Sequence, residues 1–556
     1  MIFLLSQDIS LFLFMGMYYY WVVPSFSSLF VSGSYSGSWH ETDIRLFFDS
    51  LWGTYKHVNS IAASIKHVLG DTADSEICIF QPRTSTYFKT YDGVRVMGDR
   101  FLKELYEEIL NLKKDRGILI TKISIVGYSL GGLVSRYMIG KLYEAGFFEN
   151  IEPYFFTTFA TPHLGVKFFG SYSGPILNFL GSNFIGTSGR DLFIRNKILV
   201  ELGDKEGPYF KALRAFKQRY LLSNIRHDRT VAFYTSFISD VSPFEDWSKV
   251  KLQYLNGIPE IKVGDKIVKP RIIDLKNSKI RPTNMPLPPP TLLSRLRYIG
   301  ILILISFILP IWFPVVFTAN CIGTTLSYFR LTFRPLEFDS AKEWLNLKIY
   351  LFGENQKQEI KPTSEHGAID EGTVDAPLSL HSAKTNDSII SKELAGFTEG
   401  AIENMLEAPQ MNEDLETVSK SYDNDTISVE SEYNFVAGGI NNEVFIDIPK
   451  HAEAAGKLLS YIDSGKNNEL EYPLFNRSNL KSLPFDEERA KINRNLNSLQ
   501  WFKIASYVDA FNAHDGIVAR RGLRSSPRGF ATIYLWAALI KDQLPKLNSA
   551  PEESLI

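Results

Sequence analysis

The sequence predicts an α/β fold with a mostly parallel central sheet covered by helices on both faces. Short, near-continuous apolar runs at 76–82, 120–129 and 154–162 read as strands buried on both sides. Segments of helical periodicity separate them, and that alternation builds a parallel sheet. The same pattern returns near the far end of the chain, so the two blocks are expected to form one discontinuous domain.

The elements follow in order. IRLFF at 44–48 is a strand ending at a DSLWG turn, and 55–68 can form a helix. EICIFQP at 76–82 is a strand stopped by proline. Phe101, Leu102, Leu105, Ile109 and Leu112 recur near helical spacing, which predicts an amphipathic helix over 97–115. ITKISIVGYS at 120–129 is a strand, 130–144 a helix, and YFFTTFATP at 154–162 another buried strand. A helix near 208–218 precedes strand material at 219–225 and at 230–235. Beyond a long interruption come VFIDI at 444–448, a helix at 451–462, a helix near 486–499 and a late strand in WFKIASYVDAF.

Two windows break the pattern before and within the domain. Residues Ile9 to Trp39 carry no charge, and Asp8 stands where a signal peptide would need basic residues. That extension is either membrane-associated or of little structural meaning. Tyr298 to Phe329 is also uncharged, flanked by Arg295, Arg297, Arg330 and Arg334. It is long enough to cross a bilayer, while Pro310 and Pro314 suit a kinked span or a hairpin entering one leaflet. A buried core helix is the competing reading. Residues 355–436 are rich in Glu, Asp, Asn, Ser and Thr and read as a disordered insert. The expected division is an extension at 1–40, a first domain part at 41–290, a membrane-associated helix or hairpin at 293–330, the polar insert, and a second domain part at 437–545.

Composition excludes several classes. The 60 Lys+Arg and 62 Asp+Glu of this 556-residue chain give a net charge of -2, which argues against a dedicated nucleic-acid binder. Two cysteines, Cys78 and Cys321, rule out a disulfide scaffold or a four-cysteine metal site, and both are expected reduced. Sequons at Asn386, Asn424 and Asn476 count only in a secretory lumen.

The chemistry concentrates at Gly127-Tyr128-Ser129-Leu130-Gly131, a G-x-S-x-G pattern between a strand and a helix, with Gly132 extending the small-residue turn. A nucleophile on so tight a turn tolerates no bulky neighbours, and the helix N-terminus beside it stabilises negative charge. An ordinary Gly/Ser turn is the bland alternative. A nucleophilic serine needs a base, and the base needs an acid to orient it, in chain order Ser, acid, His. His514, in the turn after the late strand, is the expected base. His163, His227, His366, His381 and His451 fit less well. Asp228 is the best acid, with Asp240, Asp509 and Asp515 as alternatives.

GYSLGGLVSRYMIGKLY, TTFATPHLGV, DRTVAFYTSFI and NAHDGIVARRG together resemble the fungal putative serine-esterase/lipase family, in particular its lipid-droplet phospholipase type. The resemblance covers about 41–250 and 440–525. It implies an α/β-hydrolase fold and matches Ser129, Asp228 and His514 to the family's catalytic positions. It also implies an apolar segment between acid and histidine, here 293–330. The implied reaction is deacylation of glycerophospholipids at a lipid droplet or an endoplasmic-reticulum-connected membrane, with the catalytic domain facing the cytosol. The amides of Leu130 and Leu51 would stabilise the oxyanion, and no metal or cofactor is called for. A neutral-lipid (acylglycerol) lipase with the same triad is the nearest alternative.

One departure stands out. The family usually has a histidine-glycine pair ahead of LWG, and this chain has Asp49-Ser50. A carboxylate there would oppose a developing oxyanion. A faulty gene model at the 5′ end, a catalytically impaired membrane-surface adaptor, or an Asp49 that points away would each account for it.

Overall fold

The computed structural model describes residues 41–48, 55–70, 75–170, 173–245, 247–263, 266–280, 310, 314–315, 317–353, 444–463, 472–477, 480–510, 512–520, 522 and 526–549. The extension at 1–40, the polar insert at 355–436 and the 293–309 part of the apolar window lie outside these. The chain divides into two compact units, one of 37–344 with 1–16 and 424–556, the other of 345–423 with 17–36. Of the second, the described residues are 345–353, which end a helix running Ser340–Phe352.

Six strands form the main sheet of the first unit: β1 (Glu41–Phe48), β2 (Ser75–Phe80), β3 (Ile120–Tyr128), β4 (Glu152–Phe159), β5 (Gln218–Asn224) and β6 (Phe502–Ser506). Their order is β6-β5-β4-β3-β1-β2, and every pairing is parallel. This architecture is a mixed α/β fold compatible with an α/β-hydrolase. The progression of strands reverses between β1 and β3. In open parallel sheets a site forms outside the carboxyl ends of the strands at such a reversal. Register brings those ends level: Gly127 pairs with Phe48 and Thr158, Phe159 with Leu222, and Asn224 with Ser506.

Helices α1 (Asn59–Leu69), α2 (Val94–Arg116), α3 (Leu130–Glu144), α4 (Ser173–Phe184), α5 (residues 317–333), α6 (Ile448–Asp463), α7 (Ala513–Ile517) and α8 (Pro527–Ser549) pack around it. On one face α8 packs between α1 and α6, burying Phe530, Ile533, Tyr534 and Leu539 against Val126, Phe159 and Leu222 of the strands. Across the other face α2 packs on α3, and α3 on a short helix at Pro208–Ala215. This double cover explains strands with no polar alternation.

Three details differ from the sequence reading. Helix α8 was not expected; its run ATIYLWAALI is apolar and β-rich in composition, so periodicity alone does not separate buried helix from buried strand. Residues 230–235 do not extend the sheet. Phe233–Ser236 is one helical turn, and Phe233 and Phe237 are buried by stacking on Phe475. Only Val444–Phe445 of VFIDI is a strand, paired antiparallel with Ile261–Val263 in a separate small sheet.

The described part of the apolar window is a helix packed on the first unit. Among the described residues no helix is long and apolar enough to cross a membrane. Its second half, α5, docks on the rest of the first unit by polar side chains. Tyr91 donates to Asn320 (2.9 Å), Thr324 donates to Phe184 O (3.1 Å), and Ser327 donates to Tyr91 O (3.1 Å). Arg330 donates from Nε (3.0 Å) and Nη2 (2.8 Å) to Asp92, whose side chain is fully buried and also accepts from Arg100 at 2.6 Å. A carboxylate buried between two guanidiniums is stable only while both remain. Asp92→Ala should therefore cost about 3–5 kcal/mol and release α5. Urea unfolding reads the first effect, and faster hydrogen exchange confined to 317–333 reads the second.

Candidate active site

β3 ends at Tyr128 and α3 begins at Leu130, so Ser129 alone makes the turn. Its backbone sits at φ 54°, ψ -128°, a region that costs a non-glycine residue about 1–3 kcal/mol. The surroundings hold it there. Ser129 N–H donates to Phe159 O (3.0 Å), and Ser129 O accepts from Gly132 N–H (3.1 Å). A Cβ at Gly127 would lie 2.4 Å from the Gly132 Cα, which is backbone and cannot swing aside. A Cβ at Gly132 would in turn lie 2.1 Å from Thr161 Oγ1. The tight contact thus joins Gly127 to Gly132, rather than to Gly131.

Two further loops meet this turn. Asp228 follows β5 in a turn where its Oδ1 accepts from Thr230 N–H (3.1 Å) and Val231 N–H (2.8 Å). That anchoring leaves Oδ2 facing His514 Nδ1 at 2.9 Å. His514 lies on α7, beyond β6, and its Nε2 is 2.9 Å from Ser129 Oγ. The two loops are tied together where Ala513 N–H donates to His227 O (3.2 Å). Tyr128 supports the histidine: its hydroxyl donates to His514 O (3.0 Å), and the two rings lie tilted by 35° with centroids 4.9 Å apart. Burial is near complete, with Ser129 4% exposed and the His514 and Asp228 side chains 1% and 4%.

Ser129, His514 and Asp228 therefore form one chain of hydrogen bonds at the carboxyl edge of the sheet. Such a chain can pass the serine proton to Nε2 while a carboxylate faces the charge created on the ring. The other candidates lie elsewhere. Asp240 pairs with Arg477 (2.6 Å), Asp509 with Arg528 (3.0 Å) and Asp515 with Arg520 (3.0 Å). His163 hydrogen-bonds Thr158 (3.0 Å) and His451 the carbonyl of Asp447 (2.9 Å), while His227 contributes its backbone. His366 and His381 are outside the described residues, as are Asp49, Ser50 and Leu51. Leu130 opens α3, so its N–H is among the first-turn donors that the helix itself cannot use. Sequence reasoning does not single out Tyr128 as a supporting residue; it holds one of the two variable positions of the G-x-S-x-G pattern, so the motif carries no signal for it.

A parallel α/β sheet with this serine elbow defines a hydrolase-like layout. Residues 41–240 match the model of the putative serine esterase family (DUF676). The chain is 31% identical over 236 residues to "Putative lipase C4A8.10" of Schizosaccharomyces pombe, covering 39% of this chain and 30% of that protein. It is 33% identical over 157 residues to "Putative lipase ROG1" of Saccharomyces cerevisiae, covering 27% and 21%. A third match, "Putative lipase YDL109C" of Saccharomyces cerevisiae, is 30% identical and covers 30% and 25%. The matched stretches thus span less than a third of each relative's length. No solved structure matches.

The glycine contact gives a direct check. Gly127→Ala should destabilise the fold by about 1–3 kcal/mol, as overpacking does where backbone meets backbone. Denaturant midpoints of wild type and variant measure it.

Proposed function

We propose that the chain is a serine lipid esterase of the α/β-hydrolase class, acting on acyl esters of glycerophospholipids at a lipid-droplet or membrane surface. The observation that carries the catalytic part is the hydrogen-bonded chain from Asp228 through His514 to a serine in a strained backbone. In this reading Ser129 Oγ attacks the ester carbonyl while His514 Nε2 takes its proton. The proton then passes to the leaving alcohol, and Asp228 keeps the imidazole oriented. Water, activated by the same histidine, releases the acid and restores Ser129. The N–H groups of Leu130 and Leu51 are the proposed oxyanion donors.

The relatives' names, all putative lipases, support a lipid ester as substrate. The surface part rests on α5. Its polar residues Asn320, Thr324, Ser327 and Arg330 face the protein, and its apolar side chains face out. Phe317, Ile322, Leu326, Phe329 and Phe333 are all exposed, Phe333 at 70%. On neighbouring α4, Ile176 and Phe179 are exposed as well, and Phe184 of that helix packs on Phe317 at 4.9 Å. A soluble helix packs the other way round. An apolar face of this kind suits a helix lying on a lipid surface.

An acylglycerol substrate is the second reading, favoured by the word lipase in the relatives' names. Substrate profiling separates the two: with purified protein, phospholipid should be turned over in preference to acylglycerol, and the reverse result selects the second reading. Ser129→Ala should lower turnover of either by at least about 10³-fold, with the fold unchanged. Unchanged turnover would end the catalytic proposal. For the surface, Phe329→Glu with Phe333→Glu should weaken vesicle binding roughly tenfold or more per side chain. Hydrolysis of a short, water-soluble ester should stay at the wild-type level, and vesicle binding equal to wild type would refute the docking face.

A further inference from the structure

A buried cationic cluster lies behind the serine turn and is not used by the chemistry above. Arg136 is on α3, one helical turn beyond Gly132, and is completely buried. Its Nη2 donates to Leu202 O at 2.7 Å. Its Nε and Nη1 have no protein acceptor. Thr161, whose side chain packs against Gly132, has a buried Oγ1 likewise without a protein partner. Two residues on, His163 is fully buried, with Nε2 at 3.0 Å from Thr158 Oγ1 and Nδ1 unpartnered. The direction of the Thr158–His163 hydrogen bond depends on the tautomer; in the one where the hydroxyl donates to Nε2, the proton of His163 is on Nδ1.

The balance of these groups is one-sided. Arg136 offers donors and no acceptor, and the Thr161 hydroxyl and His163 Nδ1–H can add one donor each. Burial pushes the Arg136 pKa down to about 9, which still leaves it charged at neutral pH, and among the described residues no carboxylate acts to raise it. Burial lowers the His163 pKa well below its usual value, and the charges of Arg136 and Lys503 add to the effect, so both cations act on the ring. Lys503 has its own acceptors in Asn497 Oδ1 (2.8 Å) and Ile238 O (3.1 Å). An isolated buried charge with unmade hydrogen bonds is among the costliest features a fold can carry. A water molecule would satisfy some of the donors but would leave the charge uncompensated.

We infer that Arg136, His163 and Thr161 form a buried site for a small monovalent anion of chloride type, which braces the nucleophile helix α3 against the 161–163 segment. Binding to the folded state alone must raise stability with anion concentration until the site is full. The test uses the whole chain, with chloride and bromide as probes and isethionate, a larger anion, as the control at equal ionic strength. Wild type should show a saturating rise of a few degrees in Tm with either halide and no such rise with isethionate. Arg136→Met should show the same Tm in all three salts. Thr161→Val keeps the charge and should shift the halide midpoint several-fold upward, which preserves the test if Arg136→Met does not fold. Crystals grown in bromide should give an anomalous peak within hydrogen-bonding range of Arg136 Nη1 and His163 Nδ1. Equal Tm values for wild type in bromide and isethionate, or ordered water without anomalous signal at that position, would overturn the proposal.

Discussion

The approach of Gly127 to Gly132 is the constraint on which the site depends. At this contact two backbone segments meet with no room for a side-chain atom. It forces the chain to leave β3 and enter α3 through a single residue, and it holds that residue at φ 54°. The strain is not relieved locally. It is offset by the hydrogen bond to Phe159 and by the packing of α3, whose residues from Leu130 to Gly140 are all buried. A strained residue persists only when its surroundings over-determine it, and such residues concentrate where chemistry is done.

The parallel sheet then does the rest of the positioning. Because β3, β5 and β6 run the same way in close register, the residues that follow each of them emerge at one edge. Ser129 follows β3 directly, Asp228 follows β5 after a short turn, and His514 follows β6 on α7. The three come from positions as much as 385 residues apart. The two long interruptions of the chain therefore leave this geometry intact. They fall between β5 and β6, in the connection that a parallel sheet leaves free in length.

Much of this was legible because it rests on local signals. Buried strands announce themselves as apolar runs, and α2 by the spacing of Phe101, Leu105, Ile109 and Leu112. The glycines of the serine turn mark a backbone need. Other parts depend on what the segment meets in space. The run at 527–549 could be strand or helix until α1 and α6 are seen to enclose it. Residues 233–236 look like strand because aromatic packing and sheet pairing ask for the same residue types. The polar stripe of α5 was hidden for a related reason: Asn320, Thr324 and Ser327 are uncharged, so they did not interrupt a window defined by the absence of charge. Their hydrogen bonds to the 91–92 and 184 regions make residues 317–333 a docked helix with its apolar side outward.

Every other proposed catalytic role presupposes Ser129 as a nucleophile activated by His514. The most direct measurement is covalent: treat the full-length protein with a fluorophosphonate and map the adduct by peptide mass spectrometry. A single rapid modification at Ser129 is expected, abolished by His514→Ala in a protein that remains folded. Modification of another serine at the same rate, or of Ser129 equally fast without His514, would contradict it.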